Sequence, residues 1–145
     1  HKSPRIHQGT IWEEVKSGQV RKILSANTVE ISIRMQEDDD PDTRPARIIG
    51  LKDTDPNTVE GLLQKNNLTK SLLHARVSYT EGWPVPGETE RPIYIFFPVS
   101  DLFVDWFIYM GMGYFESDGY NIHYDETLQQ TESYAIEDGN GLHAR

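Results

Sequence analysis

Between Val29 and Met35 apolar and polar side chains alternate without a break, with Val29, Ile31, Ile33 and Met35 set against Glu30, Ser32 and Arg34. A period of two puts every second side chain on one face, which is the signature of a half-buried strand. It predicts the return limb of a hairpin over residues 20–35, with its turn at Ser25-Ala26-Asn27-Thr28. The run Glu37-Asp38-Asp39-Asp40-Pro41-Asp42 that follows carries five carboxylates. It lacks the spaced ligands and glycine of an EF-hand loop, and it reads as a solvated charge run.

A second strand, Arg47-Ile48-Ile49-Gly50-Leu51, enters the acidic, proline-marked turn Lys52-Asp53-Thr54-Asp55-Pro56-Asn57. A basic residue on a strand with carboxylates at its mouth is a layout for handling phosphate beside a metal. Asn57, with Glu60 three residues on, is the expected cap of a helix running to about residue 74. Val59, Leu62, Leu63, Leu72 and Leu73 form its apolar stripe, which is expected to be core. A strand over 75–80, a Pro- and Gly-marked loop over 82–90 and a strand opened by Arg91 come next. Ser100 or Asp101 is the expected cap of a further helix, in which Leu102, Phe103, Trp106, Phe107, Tyr109 and Met110 cover much of the circumference. Gly111 is its left-handed stop.

This order of elements resembles the staphylococcal nuclease-like (thermonuclease) family over about two thirds of the chain, from Val20 to Glu116. The resemblance implies a mostly β fold with helices, of the α+β class: a five-stranded OB-type barrel with two or three packed helices. It divides the chain into an N-terminal arm (1–19), the barrel domain (20–116) and an acidic C-terminal segment (117–145). It also implies site residues. Arg47 and Arg91 fall where family arginines grip a phosphate, and they are expected to approach one another and hold one anion. Asn27, Asp53, Thr54 and Asp55 fall at or beside the positions that hold Ca2+, and Asp55 or Glu60 is the candidate substitute for the general base.

The departures from the family pattern carry the functional expectation. Asn27 stands where the hairpin turn should supply a calcium-binding aspartate, so a charged ligand is lost. One extra residue lies between Arg47 and Pro56, which sets Asp53 six positions past Arg47 and reverses its face along a strand unless a bulge absorbs it. The base position falls on Pro56 or Asn57, neither of which takes a proton from water. Loss of a general base alone costs ~100 to 10,000-fold in rate. The resemblance therefore points to a degenerate pseudonuclease that binds or scaffolds, in an RNA-processing or RNA-silencing assembly. A Ca2+-dependent nuclease acting on single-stranded DNA or RNA is the alternative, with Ca2+ as the cofactor only in that case.

A formal charge of −9 argues against broad binding to duplex nucleic acid, which needs many Lys and Arg contacts to phosphate. A protein partner is favoured, with single-stranded nucleic acid or a terminal phosphate as a secondary ligand held on Arg47 and Arg91. With no cysteine there is no disulfide framework or thiolate zinc site, and the five histidines show no i,i+4 pair. The chain is expected to be soluble, without a signal or membrane-spanning segment in the residues given. It opens on His1, as a processed or excised piece would, so upstream domains lie out of view.

The stretch after Glu116 is polar and aperiodic, and its scattered Tyr120, Tyr124, Leu128, Tyr134 and Ile136 cannot form a core of their own. It is expected to dock by borrowing apolar surface, either from the helix over 101–110 or from a second copy of the chain. Its carboxylates are candidate occupants of the arginine site.

Overall fold

The computed structural model describes residues 14–32 and 43–144. Residues 1–13, most of the arm, lie outside that description, as do the end of the alternating strand from Ile33, the acidic run over 37–42, and Arg145. Among the described residues the order is β1 (Lys16–Ile23), β2 (Thr28–Ser32), β3 (Thr43–Ile48), α1 (Val59–Leu72), β4 (Arg76–Glu81), β5 (Arg91–Phe96), α2 (Phe103–Tyr109), α3 (Asp125–Asp138) and a 3-10 turn (Gly141–His143).

The strands close a barrel in the order β1-β2-β3-β5-β4 and back to β1. Every pairing is antiparallel except β3 with β5. Closure depends on β1 serving two partners: residues 16–19 pair with β4, and 19–23 pair with β2. A register shift between Val20 and Lys22 bends the strand where it changes neighbour. The expected turn forms, with Leu24 and Ser25 N–H both donating to the Thr28 carbonyl.

Alternation then fixes what faces inward. Val20, Val29, Ile31, Ala46, Ile48, Val77, Ile93 and Ile95 occupy inner register positions and are buried. One end of the barrel is closed by α1, whose Leu68 and Leu72 are buried in the same core. The outer face of β3, β5 and β4 is covered by the segment after α2: Phe115 bridges Leu51, Tyr94 Oη donates to the Asn121 carbonyl, and Tyr124 packs edge-on against Tyr94. Next, α3 packs on α2 through buried Leu128, Thr131 and Ala135, and Thr131 Oγ1 donates to the buried Asp105 carboxylate at 2.6 Å.

Several local expectations need correction. Thr58, not Asn57, caps α1, accepting from Gly61 N–H, while the Asn57 N–H is taken by Asp55 Oδ1. Leu102 rather than Ser100 or Asp101 precedes α2, without a side-chain cap. The stripe of α1 is rotated: Gly61, Gln64, Leu68 and Leu72 are buried, whereas Val59, Leu62 and Leu63 are 67%, 57% and 44% exposed. The reason is steric. The first turn of α1 lies so close to the 54–55 backbone that a Cβ on residue 61 would stand 1.9 Å from the Asp55 carbonyl oxygen, so glycine must face inward there. Gly111, at φ 70, ends α2 as expected.

Candidate phosphate and metal site

Arg47 lies on the outer face of β3. Its Nε donates to Glu88 Oε1 at 2.6 Å and its Nη2 to Asp118 Oδ2 at 2.8 Å, and its side chain is only 12% exposed. One carboxylate comes from the loop between β4 and β5, the other from the segment that covers the outer wall. Burial pulls the Arg47 pKa down, but the two hydrogen-bonded carboxylates outweigh it and raise it. Asp118 is saturated in turn. Its Oδ1 accepts from Tyr120 and Asn121 N–H and its Oδ2 from Asn121 Nδ2 and Arg47. Burial raises its pKa, yet the hydrogen bonds from Asn121, Tyr120 and Arg47 outweigh burial and hold it at about 2. Asn121 also locks the neighbouring loop, accepting from Trp83 N–H at 2.6 Å and donating to the Trp83 carbonyl at 3.0 Å.

Arg91 is elsewhere. It pairs in register with Ala46, and Arg47 with Pro92, so the two arginines occupy opposite faces of the wall. Arg91 points to the barrel end away from α1, where Nη1 donates to Glu81 Oε2 at 2.7 Å. The expected two-arginine grip on a single anion is therefore not assembled: the arginines project to different sides, and each already holds a carboxylate.

The residues expected at the metal are likewise drawn into the protein's own hydrogen bonds. Asn27 Nδ2 donates to the Leu51 carbonyl at 3.0 Å, and its Oδ1 accepts from Thr28 Oγ1 and Ser25 Oγ. Thr54 Oγ1 donates to Gln64 Oε1 at 2.6 Å, while Gln64 Nε2 donates to the Ala26 and Lys52 carbonyls. Asp53 and Asp55 are exposed. Because β3 ends at Ile48 in a turn at residues 49–50, strand alternation does not govern Asp53, and the argument from a reversed face falls away. Glu60 stands exposed in the first turn of α1, where a negative charge stabilises the helix N-terminus. Among the described residues no three His, Asp or Glu side chains form a group that could hold a metal ion.

Gln64, Glu88, Asp118 and Asn121 are the residues the sequence did not announce. A buried glutamine in register with Leu68 and Leu72 has a signal, an inward polar position on a helix, but only once the helix's rotation is known. Glu88 and Asp118 have none, since each is one acid among many. No protein-family model matches the chain, and no curated protein matches it either. Fold and site define a closed five-stranded barrel with packed helices, and no helix among the described residues is long and apolar enough to cross a membrane.

Proposed function

We propose that the chain is an OB-type, nuclease-like barrel with a degenerate site, working as a binding or scaffolding module. The observation that carries this reading is the internal use of Asn27 and Thr54, the first on the Leu51 carbonyl and the second on Gln64. The resemblance gives both residues to the metal, yet their side chains, with that of Gln64, are spent on the protein's own groups, three backbone carbonyls among them. Amide and hydroxyl groups used in this way bring no charge to a hard divalent ion. Strand order, with β3 parallel to β5 and a helix between β3 and β4, supports the OB-type assignment.

A protein partner fits better than nucleic acid. The net charge of −9 opposes polyanion binding, and Arg47 is already neutralised by Glu88 and Asp118. Val59, Leu62 and Leu63 meanwhile present an exposed apolar face at helical spacing. An RNA-processing or RNA-silencing assembly is the setting that the family resemblance implies. Incubation of the protein with single-stranded DNA and RNA, with Ca2+ and with chelator, tests the reading by recording cleavage and retention together. Neither is expected. Cleavage that requires Ca2+ and disappears in Asp53→Ala would restore the nuclease.

A further inference from the structure

The barrel end opposite α1 breaks the inside-outside rule that the rest of the barrel obeys. In register, Lys16, Arg44, Glu81 and Arg91 belong to the same inner set as Val20, Ile31, Ala46 and Ile93. Inner positions that turn from apolar to charged over one layer are a local inconsistency of the kind found at functional sites. They surround a cavity of about 490 Å³, a size that admits a small organic molecule. Its deeper wall is apolar, formed by Ile31, Ala46 and Ile93.

Two further features belong to this cavity. Tyr79 lines it, is 1% exposed, and has a hydroxyl that is buried without a hydrogen-bond partner among the described residues. Such a group retains a donor that a bound molecule can satisfy. The charges do not cancel. Glu81 spends one oxygen on Lys16 at 3.2 Å and the other on Arg91 at 2.7 Å, which leaves Arg44 with no hydrogen bond or ion pair among the described residues. Among the described residues, Lys16, Arg44 and Arg91 against Glu14 and Glu81 make the lining positive by one charge within a protein whose net charge is −9.

We propose that this end of the barrel binds a small monoanion with an apolar body, such as an aliphatic carboxylate, its acid group on Arg44 and the Tyr79 hydroxyl. A dianion such as phosphate matches neither the single unbalanced cation nor the apolar wall. Glu81 positions Lys16 and Arg91 at the rim and screens them, so that Arg44 selects the acid group. This site is distinct from the outer-wall position of Arg47.

Octanoate is the test probe, with octan-1-ol as its uncharged counterpart and inorganic phosphate as the anion without a body. Titration calorimetry on the full chain should show saturable one-site binding of octanoate, and backbone amide resonances of residues 16, 44, 46, 79 and 91 should shift. Arg44→Gln should weaken binding about tenfold or more, Tyr79→Phe by about threefold to tenfold, and octan-1-ol should bind at least about tenfold more weakly. Thermal unfolding of each variant confirms that it is folded. No saturable octanoate binding, unchanged affinity in folded Arg44→Gln, or phosphate binding more tightly than octanoate would each overturn the proposal.

Discussion

Arg47 and Asp118 meet at 2.8 Å across 71 residues of chain, and their contact ties the barrel wall to the segment that covers it. The Asp118 carboxyl, held at about 2 against an ordinary 3.8, makes that tie sensitive to acid. The folded pKa lies below the unfolded one, so the unfolded chain binds more protons between about pH 4 and pH 2. The contribution is complete above about pH 4 and is lost as pH falls through about 2. Denaturant unfolding followed from pH 7 to pH 2 should show this fall. Asp118→Asn should be less stable than the parent at pH 7 and should lose part of the acid dependence.

Gln64 joins three segments that are distant in sequence, through Thr54, the Ala26 carbonyl and the Lys52 carbonyl. Gln64→Ala removes these bonds and leaves buried polar groups unpaired, which should cost about 2–4 kcal/mol by denaturant unfolding. A loss under 0.5 kcal/mol, within the ordinary surface range, would mean that water replaces the side chain without penalty.

The rotated face of α1 gives opposite expectations for two leucines on one helix. Leu68 is 0% exposed and Leu62 is 57% exposed. Leu68→Ala should destabilise by about 2–5 kcal/mol, as buried leucine truncations do. Leu62→Lys should stay within about 0.5 kcal/mol. A loss at Leu62 as large as that at Leu68 would put Leu62 in the core, where the stripe read from sequence has it.

Gly61 tests the same contact from the backbone side. A methyl group there would stand 1.9 Å from the Asp55 carbonyl oxygen, and backbone cannot move aside as a flexible side chain can. Gly61→Ala should therefore lower stability by about 1–3 kcal/mol or more, against the gain that alanine brings to an unstrained helix position.

Truncation after Glu116 removes Asp118, Asn121, Tyr124 and Leu128 together. It should lower the melting temperature by about 10 °C or more, because Tyr94, Arg47 and the α3-facing side of α2 lose their cover. An unchanged melting temperature would show that the segment rests on the barrel without stabilising it.

What the sequence determined by itself was local. Alternation over Val29 and Ile31, the turn at Ser25 to Thr28, the strand opened by Arg91 and the stop at Gly111 each follow from period, turn chemistry or backbone freedom, which act between near neighbours. Tertiary structure decided the rest. The rotation of α1 depends on the approach of its first turn to residues 54–55, a contact that no helical period encodes. The fate of Arg47 depends on carboxylates 41 and 71 residues away, and nothing in an acidic composition marks Glu88 and Asp118 among their neighbours. Whether Arg47 and Arg91 could share one anion was settled by the register of β3 on β5. Paired side chains share a face and neighbours along a strand alternate, so Arg91, paired with Ala46, faces away from Arg47, and that register exists only once the barrel has closed.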